Sequence, residues 1–290
     1  MRNNNVINSL SHVEECMHEL VLLHPGDAAD AATEHLSAGG SRVRASIAVD
    51  ACRALAVPNG IATAVAAACE LLHNASLIHD DLQDRSEHRR GRHAIWKTYG
   101  ASIAICAGDL MLSAAYAALS RTGPASAGLV MTMHKRVSAV VRGQCKDLAL
   151  KGDTLSRVDM YENIAAEKSG PLLILPLELG LTLAGRLQAI EVAEQVGVHF
   201  AVGYQVADDI SDVEIDAANK QMNIVAVLAA RGHPNPDEAA LALAVDRFCL
   251  CDTLAAQLPS NSGNLIATLA RRRAVALQKS TAVTKAKVVA

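Results

Sequence analysis

Apolar residues recur every three or four positions over long stretches of the chain, the spacing of an amphipathic helix. Between residues 62 and 76 the positions that follow this spacing are Ala62, Val65, Ala66, Cys69, Leu72, Ala75 and Ser76. Proline, which interrupts helices, is absent from the intervals 59–123, 125–170 and 177–233. The pattern therefore predicts an all-α protein with several long helices.

Short polar clusters separate the predicted helices. Glycine, proline, serine and asparagine concentrate at 37–41, 57–60, 121–124 and 231–237, as expected of turns. We find neither a flexible linker between two halves nor a long internal repeat. We interpret residues 1–290 as a single domain, with about ten residues at each end expected to be flexible.

Composition refines this picture. Hydrophobic residues make up 51% of the chain and aromatic residues only 2%, which favours close-packed helices over a sheet protein. A net charge of −3 argues against a nucleic-acid-binding protein. The seven cysteines lack metal-ligand spacing, and we interpret them as the reduced thiols of a cytoplasmic protein.

No membrane segment is expected. The N-terminal segment 1–20 is polar and does not have the pattern of a signal peptide. The apolar windows 101–118 and 171–185 contain Asp109 and Glu178, so neither is a clean span of about 20 apolar residues.

Two matching aspartate clusters, LIHDDLQD (77–84) and QVADDISD (205–212), end apolar segments. On a helix, Asp80 and Asp84 share one face and can reach the same cation, while Asp81 flanks them. Carboxylate oxygens without neighbouring thiols suit Mg²⁺. Either cluster alone is also consistent with a solvated acidic helix end. Two clusters in apolar helices favour a metal, because clustered buried acids need a counter-ion.

A basic run, Arg89-Arg90-Gly91-Arg92, follows the first cluster. Arginines next to an acidic metal site indicate a bound anion, most simply phosphate; the alternative is a solvated turn paired with Glu87. His73 precedes Asp80 by about two helical turns, so it shares the face of the acids and is a candidate phosphate contact. We interpret His79 as a core residue.

The segments 71–91 and 203–214 resemble the two aspartate-rich motifs of the trans-isoprenyl diphosphate synthases, the polyprenyl synthetase family. Further matching segments are GGSRVRA (39–45), YGASIAICAGDLML (99–112), GQCKDL (143–148) and EKSG (167–170). The resemblance implies the isoprenoid synthase type I fold, a bundle of long, mostly antiparallel helices around a central cavity. It also implies a homodimer whose substrates are isopentenyl and allylic diphosphates.

The resemblance further implies residue roles. Magnesium, about three ions per site, would be held by Asp80, Asp84 and Asp208, with Asp81, Asp209 and Asp212 assisting. Arg89 would bind the allylic diphosphate, and Lys168, Ser169 and Gln205 would line its site. Isopentenyl diphosphate would contact Ser41, Arg44, His73 and Arg90. The residues expected to carry the reaction itself are Asp80, Asp81, Asp84, Arg89, Lys168 and Asp208.

Two departures from the family pattern affect these roles. Ser41 stands where the family has lysine, and losing one charge-assisted contact costs about 1.5–3 kcal/mol unless Arg42 compensates. After the second cluster the family carries a glycine, a further lysine and an aspartate, whereas this chain has AANKQMN. Lys220 is the residue of that segment that could contact diphosphate.

The implied reaction is a head-to-tail condensation in which product length depends on residues below the first cluster. Ala75 and Ser76 are small where short-chain enzymes carry aromatics, so the tail would extend toward Met111, Ala115 or Tyr116. Geranylgeranyl diphosphate is the expected product, with farnesyl or longer products open.

Three alternative functions stay open at this stage. A class I terpene cyclase shares the fold and the first motif, but it usually has a different second metal motif and many aromatics. A non-catalytic subunit that modulates another prenyl synthase is compatible with Ser41, although such subunits tend to lose their aspartates. A generic metal-phosphate binding module would not explain two matching clusters.

Overall fold

The computed structural model describes residues 2–149, 157–219 and 221–288. It is 83% helical, so the prediction of an all-α protein is confirmed. The α-helices are α1 Arg2–Val21, α2 Asp27–Ser37, α3 Val43–Ala54, α4 Asn59–Asp84, α5 Ile95–Tyr99, α6 Ala101–Ser120, α7 Ser126–Ala149, α8 Val158–Leu183, α9 Ile190–Ser211, α10 Val213–Asn219, α11 Ile224–Ala230, α12 Pro236–Ala255 and α13 Asn264–Val288. Two short strands, β1 His88–Arg89 and β2 Arg92–His93, form an antiparallel pair.

Most prolines lie where helices begin or end, as the sequence indicated. Pro58 immediately precedes α4, and Pro236 is the first residue of α12. Pro124 and Pro259 lie in the short 3₁₀ turns Gly123–Ala125 and Pro259–Asn261. Proline thus occupies positions at which a backbone N–H is not needed by the helix.

Helix α8 is an exception, because it continues through Pro171 and Pro176. Proline removes the hydrogen bond to the carbonyl four residues earlier, which for Pro171 is the carbonyl of Glu167. That carbonyl lies against Gly143 of α7, where an added Cβ would sit 2.9 Å from the carbonyl oxygen. The hydrogen bond lost at Pro171 coincides with close packing of α7 on the backbone of α8. Tertiary packing thus outweighs the low helix propensity of proline.

The described chain divides into two compact units. The first comprises Met1–Met133 and Pro176–Gly185, and α4 lies at its centre, packed on α1, α3 and α6. Residues 64–69 of α4 are buried all round, and most of them are alanine. Small side chains let neighbouring helices approach closely, and burial on every side explains why this helix is apolar on every side.

The second unit comprises His134–Leu175 and Arg186–Ala290. Helix α12 packs on α9 and α13, and the chain's two phenylalanines, Phe200 and Phe248, meet edge to face with ring centroids 5.7 Å apart. A second apolar cluster, including Tyr161, Val206 and Ile224, joins α8, α9 and α11. This cluster supports the end of α9, where the second aspartate motif lies.

The single-domain organisation, the flexible ends and the central cavity stay predictions. Helix α1 begins at Arg2 and α13 ends at Val288, so the backbone is helical close to both ends of the described chain. Met1 and residues 289–290 lie outside the described residues.

Two helices, α4 and α6, are long and apolar enough to cross a membrane by length and composition alone. The core helix of a water-soluble protein passes the same test. In α4, 72% of the apolar window is buried inside the protein, as a core helix requires; in α6 the fraction is 44%. The sequence windows considered above had not included α4.

Candidate active site

The basic run after the first aspartate cluster forms a tight hairpin. Arg89 pairs with Arg92 across the two strands, which leaves Arg90 and Gly91 as a two-residue loop. Both loop residues have positive φ, 53° and 76°, as a type I′ turn requires. Glycine adopts this conformation without strain, which explains its place in the motif. The turn directs Arg89 and Arg90 to different partners.

Arg89 binds the middle aspartate of the first cluster. Its Nε lies 3.0 and 3.1 Å from the two carboxylate oxygens of Asp81, and a further bond comes from Nη2. Asp81 is only 2% exposed. Hydrogen bonding to Asp81, with the charges of Asp80 and Asp84, raises the pKa of Arg89. Asp81 is therefore paired with a protein cation, and Arg89 lies close to all three aspartates.

Arg90 lies against the glycine-rich loop before α3. Its Nη1 donates to the carbonyl of Gly39, and its Nη2 lies 3.5 Å from Oδ1 of Asn74. An added Cβ at Gly40 would lie 2.8 Å from the guanidinium carbon. A side chain at position 40 would displace Arg90, so glycine is needed here to admit the guanidinium.

Arg42 is held by other groups and is poorly placed to compensate for Ser41. Its Nη2 donates to Glu14 at 3.2 Å and to the carbonyl of Leu36 at 2.9 Å, and Nη1 lies 3.8 Å from Glu70. The side chain is 10% exposed. Ser41 itself is exposed. The compensation considered from the sequence would require Arg42 to give up these contacts.

His73 lies in a concentration of positive charge. Burial, reinforced by Arg44, Arg90, His35 and Arg89, lowers the pKa of His73 well below its usual value. Burial, together with the charges of Arg90, Arg89 and Arg42, lowers the pKa of His35 to about 3, although His35 shares a 3.1 Å hydrogen bond with Asn74. Both imidazoles are neutral at physiological pH. Arg44, Arg89 and Arg90 thus repel one another around His73, an arrangement that an anion would stabilise.

Asp80 and Asp84 occupy the last turns of α4 and are half-buried. Among the residues that the structure describes, no three His, Cys, Asp or Glu side chains form a complete metal site. Mg²⁺ commonly uses one or two carboxylates and completes its shell with water and substrate phosphate. Asp80 and Asp84, two carboxylates on one helix face with Arg89 close by, fit that requirement.

In the second unit, Asp209 is the buried aspartate and is 1% exposed. Its carboxylate accepts hydrogen bonds from the Tyr161 hydroxyl, the Gln205 amide and the backbone N–H of Ile224, each at 2.8 Å. Burial raises the pKa of Asp209 to about 6 even though these donors favour the charged form. Its oxygens are occupied by protein donors.

Asp208 and Asp212 are exposed on the same end of α9. Desolvation raises the pKa of Asp208 to about 6; Arg273 opposes that shift, and Asp212 adds to it. Asn223, the residue just before α11, attaches the start of α11 to this end of α9. Its amide donates to the Asp209 carbonyl at 2.7 Å and to Asp216 at 2.8 Å, and its Oδ1 caps α11 at Val225 N.

Both clusters divide their aspartates in the same way. The second aspartate, Asp81 or Asp209, is buried and held by protein donors. The first and third are more exposed and lie one helical turn apart. A rotation of about 100° per residue accounts for the division, since position i+1 lies to one side of the surface that i and i+4 share.

The predicted allylic-side residues lie in the second unit. Lys168 Nζ forms an ion pair with Asp147 at 2.7 Å, and Ser169 is half-buried beside it on α8. Gln205 is engaged by Asp209. Lys220 lies outside the described residues.

The predicted chain-length residues lie in the first unit, on α4 and α6, which pack against each other. Met111 and Ala115 are fully buried on one face of α6, and Ala75 is almost fully buried on α4. Ser76 is half-buried and donates to the carbonyl of His73, and Tyr116 is also half-buried.

Comparison with known proteins identifies the family of this chain. Residues 27–225 match the model of the family described as polyprenyl synthetase. The chain belongs to the polyprenyl synthetase family. It is 32% identical over 173 residues to a (2E,6E)-farnesyl diphosphate synthase of Mycobacterium bovis, covering 59% of this chain and 48% of that protein. It is 35% identical over 196 residues to a short chain isoprenyl diphosphate synthase of Methanothermobacter thermautotrophicus, covering 64% of this chain and 58% of that protein.

The matched region thus spans about half the length of these two relatives. The structure resembles a geranylgeranyl pyrophosphate synthetase of the archaeon Geoglobus acetivorans with a TM-score of 0.84. Identity there is 22%, and the match covers 93% of this chain and 99% of the other. This likeness shows that the family member has the all-α isoprenoid synthase fold.

Some residues of the site were not identified from the sequence. Asn223, just before the apolar run IVAVLAA, has the signature of a helix N-cap and could have been found. Tyr161 and Glu70 carry no local signal, because their partners lie far away in the sequence. Glu70 accepts from Ala45 N at 3.1 Å and so fixes the start of α3 next to Ser41 and Arg44.

Replacing the buried aspartate should affect stability, while replacing its exposed neighbour should not. Asp209→Ala removes the acceptor for the Tyr161 hydroxyl and the Ile224 N–H, so we expect the free energy of unfolding to fall by about 2–5 kcal/mol. Asp208→Ala, one residue away, should change it by less than about 0.5 kcal/mol. Urea unfolding without metal measures both. Equal losses would contradict the division of the cluster.

Proposed function

We propose that this family member is a Mg²⁺-dependent trans-prenyltransferase that condenses an allylic diphosphate with isopentenyl diphosphate, head to tail. The supporting observation is the gathering of Arg44, Arg89 and Arg90 around neutral His73, beside the half-buried Asp80 and Asp84. Such a concentration of cations next to carboxylates suits metal-bound diphosphate, which satisfies both charges at once.

Asp80 and Asp84 would hold Mg²⁺ at the end of α4, and Asp208 and Asp212 would hold it at the end of α9. When bound, the metal would neutralise the diphosphate and stabilise the charge that develops on it. Asp81 and Asp209, held by protein donors, would position their neighbours and not bind metal directly. Arg89 would orient the allylic diphosphate near Asp80 in the first unit. In the second unit, Lys168 and Ser169 would be donors to phosphate.

The isopentenyl diphosphate site would be formed by Arg90, Arg44, His73 and the loop at Ser41. Neutral His73 can donate one hydrogen bond without adding repulsion between the arginines. In the reaction, the allylic C–O bond breaks with its electron pair leaving on pyrophosphate. The double bond of isopentenyl diphosphate then forms the new C–C bond, and the released pyrophosphate takes up the proton. Orientation of two diphosphates supplies much of the rate.

We propose geranylgeranyl diphosphate as the product. Its support is the small size of Ala75 and Ser76 next to the first cluster, with Met111, Ala115 and Tyr116 on the helix packed against α4. The names of similar proteins include farnesyl and geranylgeranyl synthases. The proposal therefore depends on these side chains and on product analysis.

A non-catalytic, modulatory subunit is the second candidate, and one observation favours it. Ser41 removes a cation from the loop, and Arg42 is engaged by Glu14, Leu36 and Glu70. A class I terpene cyclase has less support, because aromatic residues, which stabilise cyclisation cations, make up only 2% of the chain.

We also propose a cytoplasmic homodimer. Its support is an apolar patch on the exposed side of α6, where Ile105 is 47% exposed and the neighbouring Cys106 is also exposed. A second copy would cover this surface and account for the incomplete burial of α6. Light scattering in solution would then give twice the chain mass of 30.5 kDa.

Activity is tested with purified protein, Mg²⁺, isopentenyl diphosphate and, in turn, dimethylallyl, geranyl and farnesyl diphosphate. We expect a Mg²⁺-dependent alcohol of twenty carbons after dephosphorylation, sized by gas chromatography and mass spectrometry. Asp80→Ala should lower kcat by about 10²-fold or more, because a metal-bound charge is lost. A cyclic hydrocarbon formed without isopentenyl diphosphate would indicate a cyclase. No product with any starter would favour the modulatory subunit.

A lysine restored at position 41 should strengthen isopentenyl diphosphate binding. Ser41 is exposed next to the loop that holds Arg90, so a new ammonium can reach the same anion. We expect Ser41→Lys to lower KM for isopentenyl diphosphate by about tenfold or more, with KM for the allylic substrate unchanged. Ser41→Ala is the matched control and should not lower KM for isopentenyl diphosphate. An unchanged KM in the lysine variant would place the second diphosphate elsewhere.

A bulky side chain below the first cluster should shorten the product. Ser76→Phe places an aromatic ring one helical turn before Asp80, so we expect a fifteen-carbon product in place of the twenty-carbon one. Ser76→Ala removes the hydroxyl without adding volume and should keep the native product. Product sizing by mass spectrometry distinguishes them. The same product distribution in both variants would exclude this surface as the limit on chain length.

A further inference from the structure

Three consecutive arginines, Arg271, Arg272 and Arg273, lie on α13, and each has a different environment. Arg271 pairs with Asp252 of α12 at 3.3 Å. Arg272 is exposed. Arg273 reaches α9, where its guanidinium carbon lies 4.9 Å from the ring centroid of Tyr204. Arg273 is thus the member of this trio that a residue of α9 holds in place.

The aromatic contact orients the arginine toward the second aspartate cluster. Tyr204 precedes Asp208 by four residues on α9, so the two share one face of the helix. Because Arg273 lies over the Tyr204 ring, it lies on the side of α9 that carries the exposed Asp208. Tyr204 therefore holds the guanidinium about one helical turn from the exposed aspartate of the cluster.

The donors of Arg273 remain available to a ligand. A guanidinium that contacts an aromatic ring through its planar face keeps its five N–H groups at the edge. Within the described ranges, Arg273 forms no ion pair with a carboxylate within 4 Å, whereas Arg247 of the same unit pairs with Glu162 at 2.7 Å. A fixed arginine with unused donors beside metal-binding carboxylates suits a phosphate-containing anion.

We propose that Arg273 is a further diphosphate-binding residue of this chain, contacting the anion held at Asp208 and Asp212, with Tyr204 as the side chain that orients it. The inference rests on the proposed function and extends it, because no motif identified in the sequence includes α13. It also supplies a cation to a cluster whose following segment, AANKQMN, contains one lysine.

The test is calorimetric titration of the full chain with inorganic pyrophosphate in the presence of Mg²⁺. We expect Arg273→Gln to weaken pyrophosphate binding by about tenfold or more, the size of one lost charge-assisted contact. Tyr204→Leu should weaken it by a smaller factor, because it removes orientation and keeps the charge. Arg272→Gln, the adjacent exposed arginine, is the control and should change affinity by less than about twofold.

Two further readouts separate binding from folding. Thermal unfolding should be unchanged in Arg273→Gln, since the side chain is exposed. In steady state, KM for the allylic diphosphate should rise while KM for isopentenyl diphosphate stays constant. Equal pyrophosphate affinities in Arg273→Gln and Arg272→Gln would overturn the role of Arg273 and leave the proposed function standing. Tighter Mg²⁺ binding by Arg273→Gln with unchanged pyrophosphate binding would have the same meaning. A native chain that does not bind pyrophosphate with Mg²⁺ would overturn the proposed function as well.

Discussion

The site depends on one geometric constraint, the rotation of about 100° per residue along an α-helix. It divides the aspartates of a D-D-x-x-D motif into two groups with different environments. Asp80 and Asp84 point one way from α4, and Asp81 points into the protein, where Arg89 neutralises it. Asp209 is likewise enclosed by Tyr161, Gln205 and Ile224. A buried, hydrogen-bonded carboxylate fixes the rotation of the helix end, and thereby the direction in which its exposed neighbours face.

In the first unit, the arginine hairpin determines the directions in which the side chains of Arg89 and Arg90 point. Two adjacent arginines on a regular strand would point to opposite faces. The type I′ turn at Arg90 and Gly91 instead sends Arg89 to Asp81 and Arg90 to the Gly39–Gly40 loop. Because a two-residue turn has little freedom, the positions of the two guanidinium groups are coupled. His35 and His73, both neutral, lie near these arginines and add no charge to their repulsion.

The helices and the two aspartate motifs could be predicted from the sequence, but the contacts between residues far apart in the sequence could not. Helical periodicity and proline positions predicted the all-α fold, and the paired motifs predicted the family, because both signals are local. The continuation of α8 through Pro171 was not predictable, since it accompanies close contact with Gly143 on another helix. The engagement of Arg42 by Glu14 and Glu70 was missed for the same reason. Local patterns identify which residues can bind charge, and packing decides which of them are already occupied.

The hydrogen bond from Ile224 N to Asp209 has a consequence for how this region tolerates changes in length. Together with the Asn223 amide, it attaches the start of α11 directly to the end of α9. Asp212 and Asn223 are therefore both held by Asp209, at the two ends of the segment that joins α9 to α11. Lengthening this segment adds little to the entropic cost of holding its two ends together, because that cost grows only with the logarithm of the segment's length. A change in the length of this segment thus leaves the aspartates of α9 in position.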